Sequence, residues 1–219
     1  MSVLRYALAA GAALTAVAAV GAAQAQDFRP KAAGDIMLNV RITDVAPDAG
    51  DPIKLIATGA DTGLKADVSD EVVPSVGLTY FLTDNWAVEA IATTTHHTIK
   101  ATGPGTDLKV KDTWVLPPVV SLQYHFMPKA KFSPYLGAGV NYMLFYNGSD
   151  KNGFHLKVKN GFGTALQAGA DIATSGPWSV NLDVKKVFFN TKATDTTSGL
   201  KSKVNLDPWV VSAGFGYKF

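Results

Sequence analysis

The chain has 219 residues, a formal net charge of +2 at pH 7 and no cysteine. A charge so close to zero argues against a nucleic-acid partner, which would require clustered positive charge. Without cysteines the fold cannot be held by disulfide bonds, so another constraint must stabilise it.

The first 25 residues have the features of a cleaved secretory signal peptide. Arg5 is their one charged side chain, residues 7–20 are mainly Ala, Leu and Val, and Ala23-Gln24-Ala25 forms the small-x-small pattern of a cleavage site. A single membrane-spanning helix is the alternative, although the run is rich in Ala and Gly and no cluster of charges follows it. We therefore expect residues 1–25 to be removed. Residues 26–219 then carry 19 basic side chains (20 less Arg5) and 18 acidic ones.

The sequence of residues 26–219 predicts one domain of eight β-strands. Each segment has about ten residues that alternate in character, and clusters of Gly, Pro, Asn and Asp separate the segments. This length allows a tilted strand to cross a bilayer. The predicted strands are residues 35–45, 72–82, 86–96, 111–126, 134–146, 161–173, 178–189 and 206–219.

The connections between these strands alternate in length, since three are short and four are long and polar. Outer-membrane barrels have this asymmetry, with short periplasmic turns and longer external loops. We therefore predict an all-β protein, an eight-stranded antiparallel transmembrane β-barrel with both termini in the periplasm. The short connections are residues 83–85, 127–133 and 174–177, and the long ones are residues 46–71, 97–110, 147–160 and 190–205.

The alternating faces of the strands fit two closed architectures. In the last strand, Trp209, Phe215 and Tyr217 share one face, whereas Ser212 and Gly214 lie on the other. In a soluble barrel of the lipocalin type the apolar face points inward, whereas in a membrane barrel it meets lipid. The membrane form is favoured because Trp and Tyr begin or end the apolar faces, as in an aromatic girdle. The opposite faces are also rich in Gly, Ser and Ala, which suits a crowded lumen.

Five motifs occur in register along the predicted barrel. They are Thr83-Asp84-Asn85 followed by Val88-Glu89, Leu116-Pro117-Pro118, Pro134-Tyr135-Leu136-Gly137-Ala138-Gly139-Val140-Asn141-Tyr142, Leu206-Asp207-Pro208-Trp209-Val210 and Gly216-Tyr217-Lys218-Phe219. Together they resemble the OmpW family of outer-membrane proteins, over essentially the whole of residues 26–219. The resemblance implies a monomeric eight-stranded barrel in the bacterial outer membrane. It also implies a hydrophobic pocket in a narrow lumen that passes small apolar molecules across that membrane.

The inward-facing side chains differ between the two halves of the predicted barrel, apolar in the external half and polar in the periplasmic half. An eight-stranded barrel has room only for packed side chains or one small ligand. We therefore predict an apolar ligand pocket above a network of paired polar groups. The predicted ligand-binding residues are Ile91, Pro117, Val119, Met143, Phe145, Val187 and Phe189. The predicted polar network contains Arg41, Glu89, Lys185, Asp171 and Asp183.

Pro117 and Pro118 lie within a predicted strand, where proline removes ladder hydrogen bonds and is normally avoided. One interpretation is a β-bulge that bends the wall near the external rim. The other is a weak seam through which an apolar ligand leaves the lumen sideways into lipid.

Catalysis and metal binding are not expected. The histidines form no motif with a serine or an acidic residue. The adjacent His96 and His97 point to opposite faces of a strand, so that only one of them could serve an ion in the lumen. We therefore predict no enzyme activity, no metal and no cofactor. The competing function is a structural or adhesin-like surface barrel without transport activity.

The expected partners are the lipids of the outer membrane and a small hydrophobic ligand. The C-terminal strand places Phe215, Tyr217 and Phe219 on one face, and we expect the barrel assembly machinery to recognise this strand. A closed single-chain barrel needs no second copy, so a monomer without nucleic acid is predicted.

Overall fold

A computed structural model describes residues 28–195 and 197–219. The predicted signal peptide, residues 1–25, lies outside the described residues. Within the described ranges, no helix is long and apolar enough to cross a bilayer. The strands, numbered in chain order, are β1 (Ile36–Ala46), β2 (Pro52–Leu55), β3 (Asp61–Val68), β4 (Glu71–Phe81), β5 (Trp86–Ala92), β6 (Thr95–Gly103), β7 (Thr106–Leu116), β8 (Val119–His125), β9 (Phe132–Asp150), β10 (Leu156–Val158), β11 (Gly161–Ala173), β12 (Trp178–Phe188), β13 (Asn190–Asp195), β14 (Leu200–Asn205) and β15 (Trp209–Lys218).

Eight of these strands close into a ring, which we call the lower barrel. Their order around the wall is β9, β11, β12, β15, β1, β4, β5 and β8, and β8 pairs with β9 to complete the ring. All neighbours in the ring are antiparallel. Closure gives every strand a partner on both sides, so no edge presents unpaired amides to lipid. The predicted eight-stranded antiparallel barrel is confirmed.

The predicted strands match the lower barrel closely, with two exceptions. Residues 161–173 coincide with β11, and residues 178–189 are one residue longer than β12. By contrast, residues 86–96 are interrupted between β5 and β6, and residues 111–126 are interrupted between β7 and β8. The second interruption falls at the two consecutive prolines, which cannot donate ladder hydrogen bonds.

The long connections are not loops, and this corrects the sequence prediction. They contain β2, β3, β10, β13 and β14 together with parts of β6, β7 and β9. These strands continue beyond the lower barrel as an upper wall, in the order β10, β13, β14, β2, β3, β6, β7 and the end of β9. Their charged side chains lie mainly on the outward face of each strand, although a few buried polar residues such as His97 and Asp195 point inward.

The polarity of the two faces inverts between the lower barrel and the upper wall. Phe188 on β12 points outward and is 45% exposed, whereas Lys185 on the same strand points inward and is buried. On β13 the outward residue is Lys192 and the inward residue is Ala193. The inversion indicates that lipid surrounds the lower barrel and water surrounds the upper wall.

Two belts of aromatic side chains mark the ends of the lipid-facing surface. Near the short turns, Trp86 packs edge-on against Tyr124 with ring centroids 4.9 Å apart, and Trp178 packs against Tyr217 at 4.8 Å. Toward the upper wall, Trp209 is 43% exposed on the outer face. Amphipathic rings favour the boundary between membrane and water, so the belts identify the lower barrel as the membrane-spanning part.

A network of buried charges fills the lumen of the lower barrel. Arg41 Nη2 donates to Glu89 Oε1 at 2.6 Å. Lys185 Nζ lies 3.2 Å from Glu89 Oε2 and 2.5 Å from Asp183 Oδ1. Each of these four side chains is at most 1% exposed. Two cations therefore face two anions, and this pairing offsets the large cost of removing charge from water.

The network needs the space that a glycine leaves. A Cβ atom on Gly77 would lie 2.9 Å from Arg41 Nη1 and 3.3 Å from Glu89 Oε1, so a larger residue would displace the ion pair. Gln123 and Gln167 complete the shell of the carboxylate, donating to Glu89 Oε2 at 3.1 and 2.8 Å. The narrow lumen thus requires small residues beside large polar ones.

The segment before β1 closes the end of the lower barrel that carries the short turns. Lys31 Nζ bonds Asp171 Oδ2 at 2.7 Å, Ser133 Oγ at 2.8 Å and His125 Nδ1 at 2.9 Å. Lys218 Nζ donates to the carbonyl groups of the two residues before Lys31. This segment and its lysine therefore form a base beneath the charged network.

We expect the upper wall to face the outside of the cell. Single-cysteine variants Asp61→Cys and Asp107→Cys, at exposed positions of the upper wall, should react with a membrane-impermeant maleimide on intact cells. Lys129→Cys, in a short turn at the opposite end, should react only after the outer membrane is permeabilised. The chain has no native cysteine to give background. Labelling of Lys129→Cys alone on intact cells would reverse the orientation.

Glu89→Gln should destabilise the barrel, because it leaves Arg41 and Lys185 with one carboxylate between them. Breaking a buried ion pair from one side costs about 3–5 kcal/mol. The free energy of unfolding of the refolded barrel, measured by urea titration, should fall by that amount. Glu71→Gln is the matched control. Glu71 is the only other glutamate of the chain, and it makes no ion pair among the described residues. Equal effects of the two substitutions would contradict the role assigned to the network.

Candidate ligand site

A cavity of about 120 Å³ lies where the lower barrel meets the upper wall. Six of the seven predicted ligand-binding residues line it, namely Ile91, Pro117, Val119, Met143, Phe145 and Val187. The seventh, Phe189, does not line the cavity. It is 3% exposed and packs in the surrounding apolar cluster, with its ring centroid 6.3 Å from that of Phe145. The role of all seven in ligand binding stays a prediction.

The sequence prediction missed the upper half of this cavity. Further apolar lining residues, between 5% and 9% exposed, come from the segments predicted as loops. They include Ile53, Ala66, Ala101, Val110, Ala193 and Val204. The signal was the alternation inside those segments, such as Lys203 outward beside Val204 inward.

Most polar side chains that line the cavity are bonded to protein atoms, and the exception is Asn141, whose Oδ1 is buried without a partner. Thr43 Oγ1 lies 2.6 Å from Ser75 Oγ and 2.9 Å from Ser212 Oγ. Asp195 accepts hydrogen bonds from three backbone amides of the upper wall, at 3.0, 2.8 and 3.2 Å. These groups are satisfied without a ligand, so they add little polar surface to the cavity.

His97, in the upper wall, also has its polar atoms bonded to protein atoms. Its Nδ1 lies 2.7 Å from the carbonyl oxygen of Ser69, which can only accept, so Nδ1 carries the hydrogen. The Nε2 atom, 2.9 Å from Thr95 Oγ1, then accepts a hydrogen bond. Burial lowers the pKa of His97 below its ordinary value, which favours the neutral ring. Both ring nitrogens are therefore occupied by protein partners.

The charged network forms the floor of the cavity, because Lys185 belongs to both. All five predicted network residues are buried in the lower lumen. Four bond one another directly, as described above, and Asp171 lies closer to the base. Asp171 accepts from Asn181 Nδ2 at 2.7 Å, and Asn181 Oδ1 accepts from Arg41 Nε at 2.5 Å. The polar groups thus form one connected layer below the apolar cavity.

The wall beside the cavity is interrupted at Pro117 and Pro118. Residues 92–94 and 116–118 form no ladder pairs with each other. The register is the same before and after this gap, so no residue is inserted and the interruption is not the β-bulge considered from the sequence. On the side of β9, Asn141 Nδ2 donates to both proline carbonyls, at 3.2 and 3.0 Å, while its Oδ1 is buried without a partner.

Comparison with known proteins relates the chain to outer-membrane barrels. The family model described as the OmpW family matches residues 32–219. The uncharacterized outer-membrane protein y4mB of Sinorhizobium fredii (strain NBRC 101917 / NGR234) is 47% identical over 161 residues, which cover 72% of this chain and 70% of that protein. Outer membrane protein W of Escherichia coli (strain K12) is 36% identical over 151 residues, covering 64% and 70%. The dibenzothiophene metabolism operon protein PahQ of Pseudomonas aeruginosa is 30% identical over 184 residues, covering 82% and 86%.

Solved structures agree with this relationship. The crystal structure of the outer membrane protein OprG from Pseudomonas aeruginosa matches with a TM-score of 0.80 at 33% identity, covering 88% of this chain and 99% of that one. The solid-state NMR structure of AlkL in lipid bilayers has a TM-score of 0.65 at 23% identity, covering 91% and 96%, and supports the fold alone. The matched family comprises outer-membrane barrel proteins and not enzymes. The chain is therefore a bacterial outer-membrane protein, and it belongs to the OmpW family.

Proposed function

We propose that this barrel binds small apolar molecules in its upper cavity and passes them across the outer membrane. The observation that carries the proposal is an apolar cavity placed directly above a lumen filled with paired charges. A channel for polar solutes would need an open hydrated path, whereas here the lower lumen is occupied by side chains. The arrangement therefore suits a ligand that is held by apolar contact.

Apolar contact supplies the binding energy in this proposal. Val187 and Met143 line the cavity and offer apolar contacts, and each Å² of apolar ligand surface that leaves water against such side chains is worth about 25 cal/mol. Water inside the cavity finds few partners, because polar groups such as Thr43 Oγ1 and both nitrogens of His97 are already bonded. An apolar ligand displaces such water at little cost in hydrogen bonds.

The way out of the cavity is inferred to be sideways. The charged network and the base formed by Lys31 occupy the path toward the short turns. Pro117 lines the cavity and belongs to the gap in the wall, where residues 92–94 and 116–118 do not pair with each other. A strand pair without ladder hydrogen bonds separates more easily than a paired one, and we infer that an apolar ligand passes here into lipid.

The relatives add a chemical indication. The name of PahQ refers to dibenzothiophene metabolism, and dibenzothiophene is an apolar aromatic compound. A structural or adhesin-like surface barrel without transport activity is the competing function. The two functions differ in whether the purified barrel binds an apolar molecule at all.

Phe145→Ser should weaken binding of 1-methylnaphthalene to the refolded barrel about tenfold. The substitution removes ring contacts worth about 1.4 kcal/mol. Fluorescence titration of the barrel in lipid nanodiscs, with empty nanodiscs subtracted, measures the affinity. Leu144→Ser is the matched control, because the neighbouring side chain points to the outer face. Undetectable binding by the wild type, or an unchanged affinity in Phe145→Ser, would favour the structural barrel.

The cavity should also discriminate against a hydroxyl group. 1-Naphthol and 1-methylnaphthalene have similar size, but the hydroxyl loses its water, and polar groups of the wall such as Thr43 Oγ1 and both nitrogens of His97 are already bonded to protein atoms; the exception is the buried Asn141 Oδ1. An unpaired buried polar group costs about 1–3 kcal/mol, so 1-naphthol should bind at least about fivefold more weakly. Equal affinity for the two compounds, measured by the same titration, would show that the wall offers open hydrogen-bonding groups.

A further inference from the structure

We propose that one side of the upper wall binds the phosphate groups of an anionic glycolipid in the outer leaflet. This side is formed by the outward faces of β2, β10, β13 and β14. Its charged residues are all lysines and all are exposed, and we call them the lysine face. They are Lys54, Lys157, Lys192, Lys201 and Lys203.

The strand register brings these lysines together. Lys192 lies directly opposite Lys203, and Lys201 lies directly opposite Lys54. Lys157 stands in the same row as Lys201, separated from it by one strand. Residues directly opposite each other have Cβ atoms about 4.5–5.5 Å apart, and like charges at such positions repel.

Carboxylates of the chain relieve only a small part of this repulsion. Within residues 28–195 and 197–219, the five lysines form no ion pair. One carboxylate, that of Asp61 on β3, lies directly opposite Lys54 without forming an ion pair with it. Asp195, on β13, points inward and is bonded to backbone amides. The lysine face therefore carries excess positive charge on adjacent strands.

The opposite side of the same wall is built differently. There, Lys100 also faces a lysine, Lys109, but it pairs with Asp107 at 3.1 Å, and Lys151 pairs with Asp112 at 3.4 Å. The wall thus forms lysine–carboxylate ion pairs on one side, whereas the lysine face forms none among the described residues. We infer that the charge of the lysine face is balanced by an anion from outside the chain.

The distance of the lysine face from the lipid-facing part of the wall indicates which anion it meets. Phe188, at the end of β12, is 45% exposed on the lipid side, and Lys192 follows four residues later. At about 3.3 Å per residue and a strand tilt of about 40°, Lys192 lies about 10 Å above Phe188. The layer of polar head groups extends about 5–7.5 Å above the hydrocarbon core, and a long lysine side chain can extend from this height to reach it. Lysines near anionic lipids are attracted to them. A phosphorylated glycolipid therefore meets this face at the level of its phosphates.

The test uses the barrel purified from outer membranes in detergent and fluorescent diphosphorylated lipid A, with binding followed by anisotropy. The double variant Lys192→Gln/Lys203→Gln should weaken binding about thirtyfold, which corresponds to about 1 kcal/mol for each of two lysines near an anionic lipid. The matched control Lys100→Gln/Lys151→Gln should change the affinity less than about threefold, since each of these lysines already has a carboxylate partner. Heat-modifiable migration confirms that both variants fold.

Two further probes separate a lipid site from a site for any phosphate. Dephosphorylated lipid A should bind the wild type no better than diphosphorylated lipid A binds the double variant. Inorganic phosphate at the concentration of the lipid should not compete. Equal losses in the two double variants, equal binding of the dephosphorylated lipid, or full competition by inorganic phosphate would each overturn the proposal.

Discussion

Closure of the sheet is the constraint on which the rest of this structure depends. In a bilayer an unpaired strand edge leaves amides and carbonyls without partners, so the ring must close on itself. Eight strands enclose a lumen only wide enough for side chains. Charges in that lumen lose their water and have to satisfy one another, as Arg41, Lys185, Glu89 and Asp183 do. The glycine at position 77 is a consequence of the same narrowness.

The cavity arises where the surroundings of the wall change. Below this level the apolar face of each strand contacts lipid and the polar face points into the lumen. Above this level the polar face contacts water, so the apolar side chains of Ala193, Val204 and their neighbours point inward. The apolar cavity lies above the charged network because the same wall is surrounded by lipid in its lower part and by water in its upper part. The interruption at the prolines lies at the same level, which places the cavity beside lipid.

Strand alternation alone predicted the lower barrel and the inward position of Arg41, Glu89 and Lys185, because lipid and lumen differ strongly in polarity. The same rule failed for residues 190–205, where the inverted pattern of polar outward and apolar inward residues resembles a polar loop. Phe189 was assigned to the inward face correctly, but only packing decides that Phe145 reaches the cavity and Phe189 does not. Lys31 could not be predicted, since it precedes the first strand and its partners are 94 to 140 residues away.

Those long separations bear on the order in which the barrel assembles. The partners of Lys31 are His125 on β8, Ser133 on β9 and Asp171 on β11. Its binding position comes into existence only when these three strands, all from later in the chain, stand side by side. The segment before β1 must therefore take its final place after strands that are synthesised well behind it. The hydrogen bonds of Lys31 can therefore form only after β8, β9 and β11 have paired.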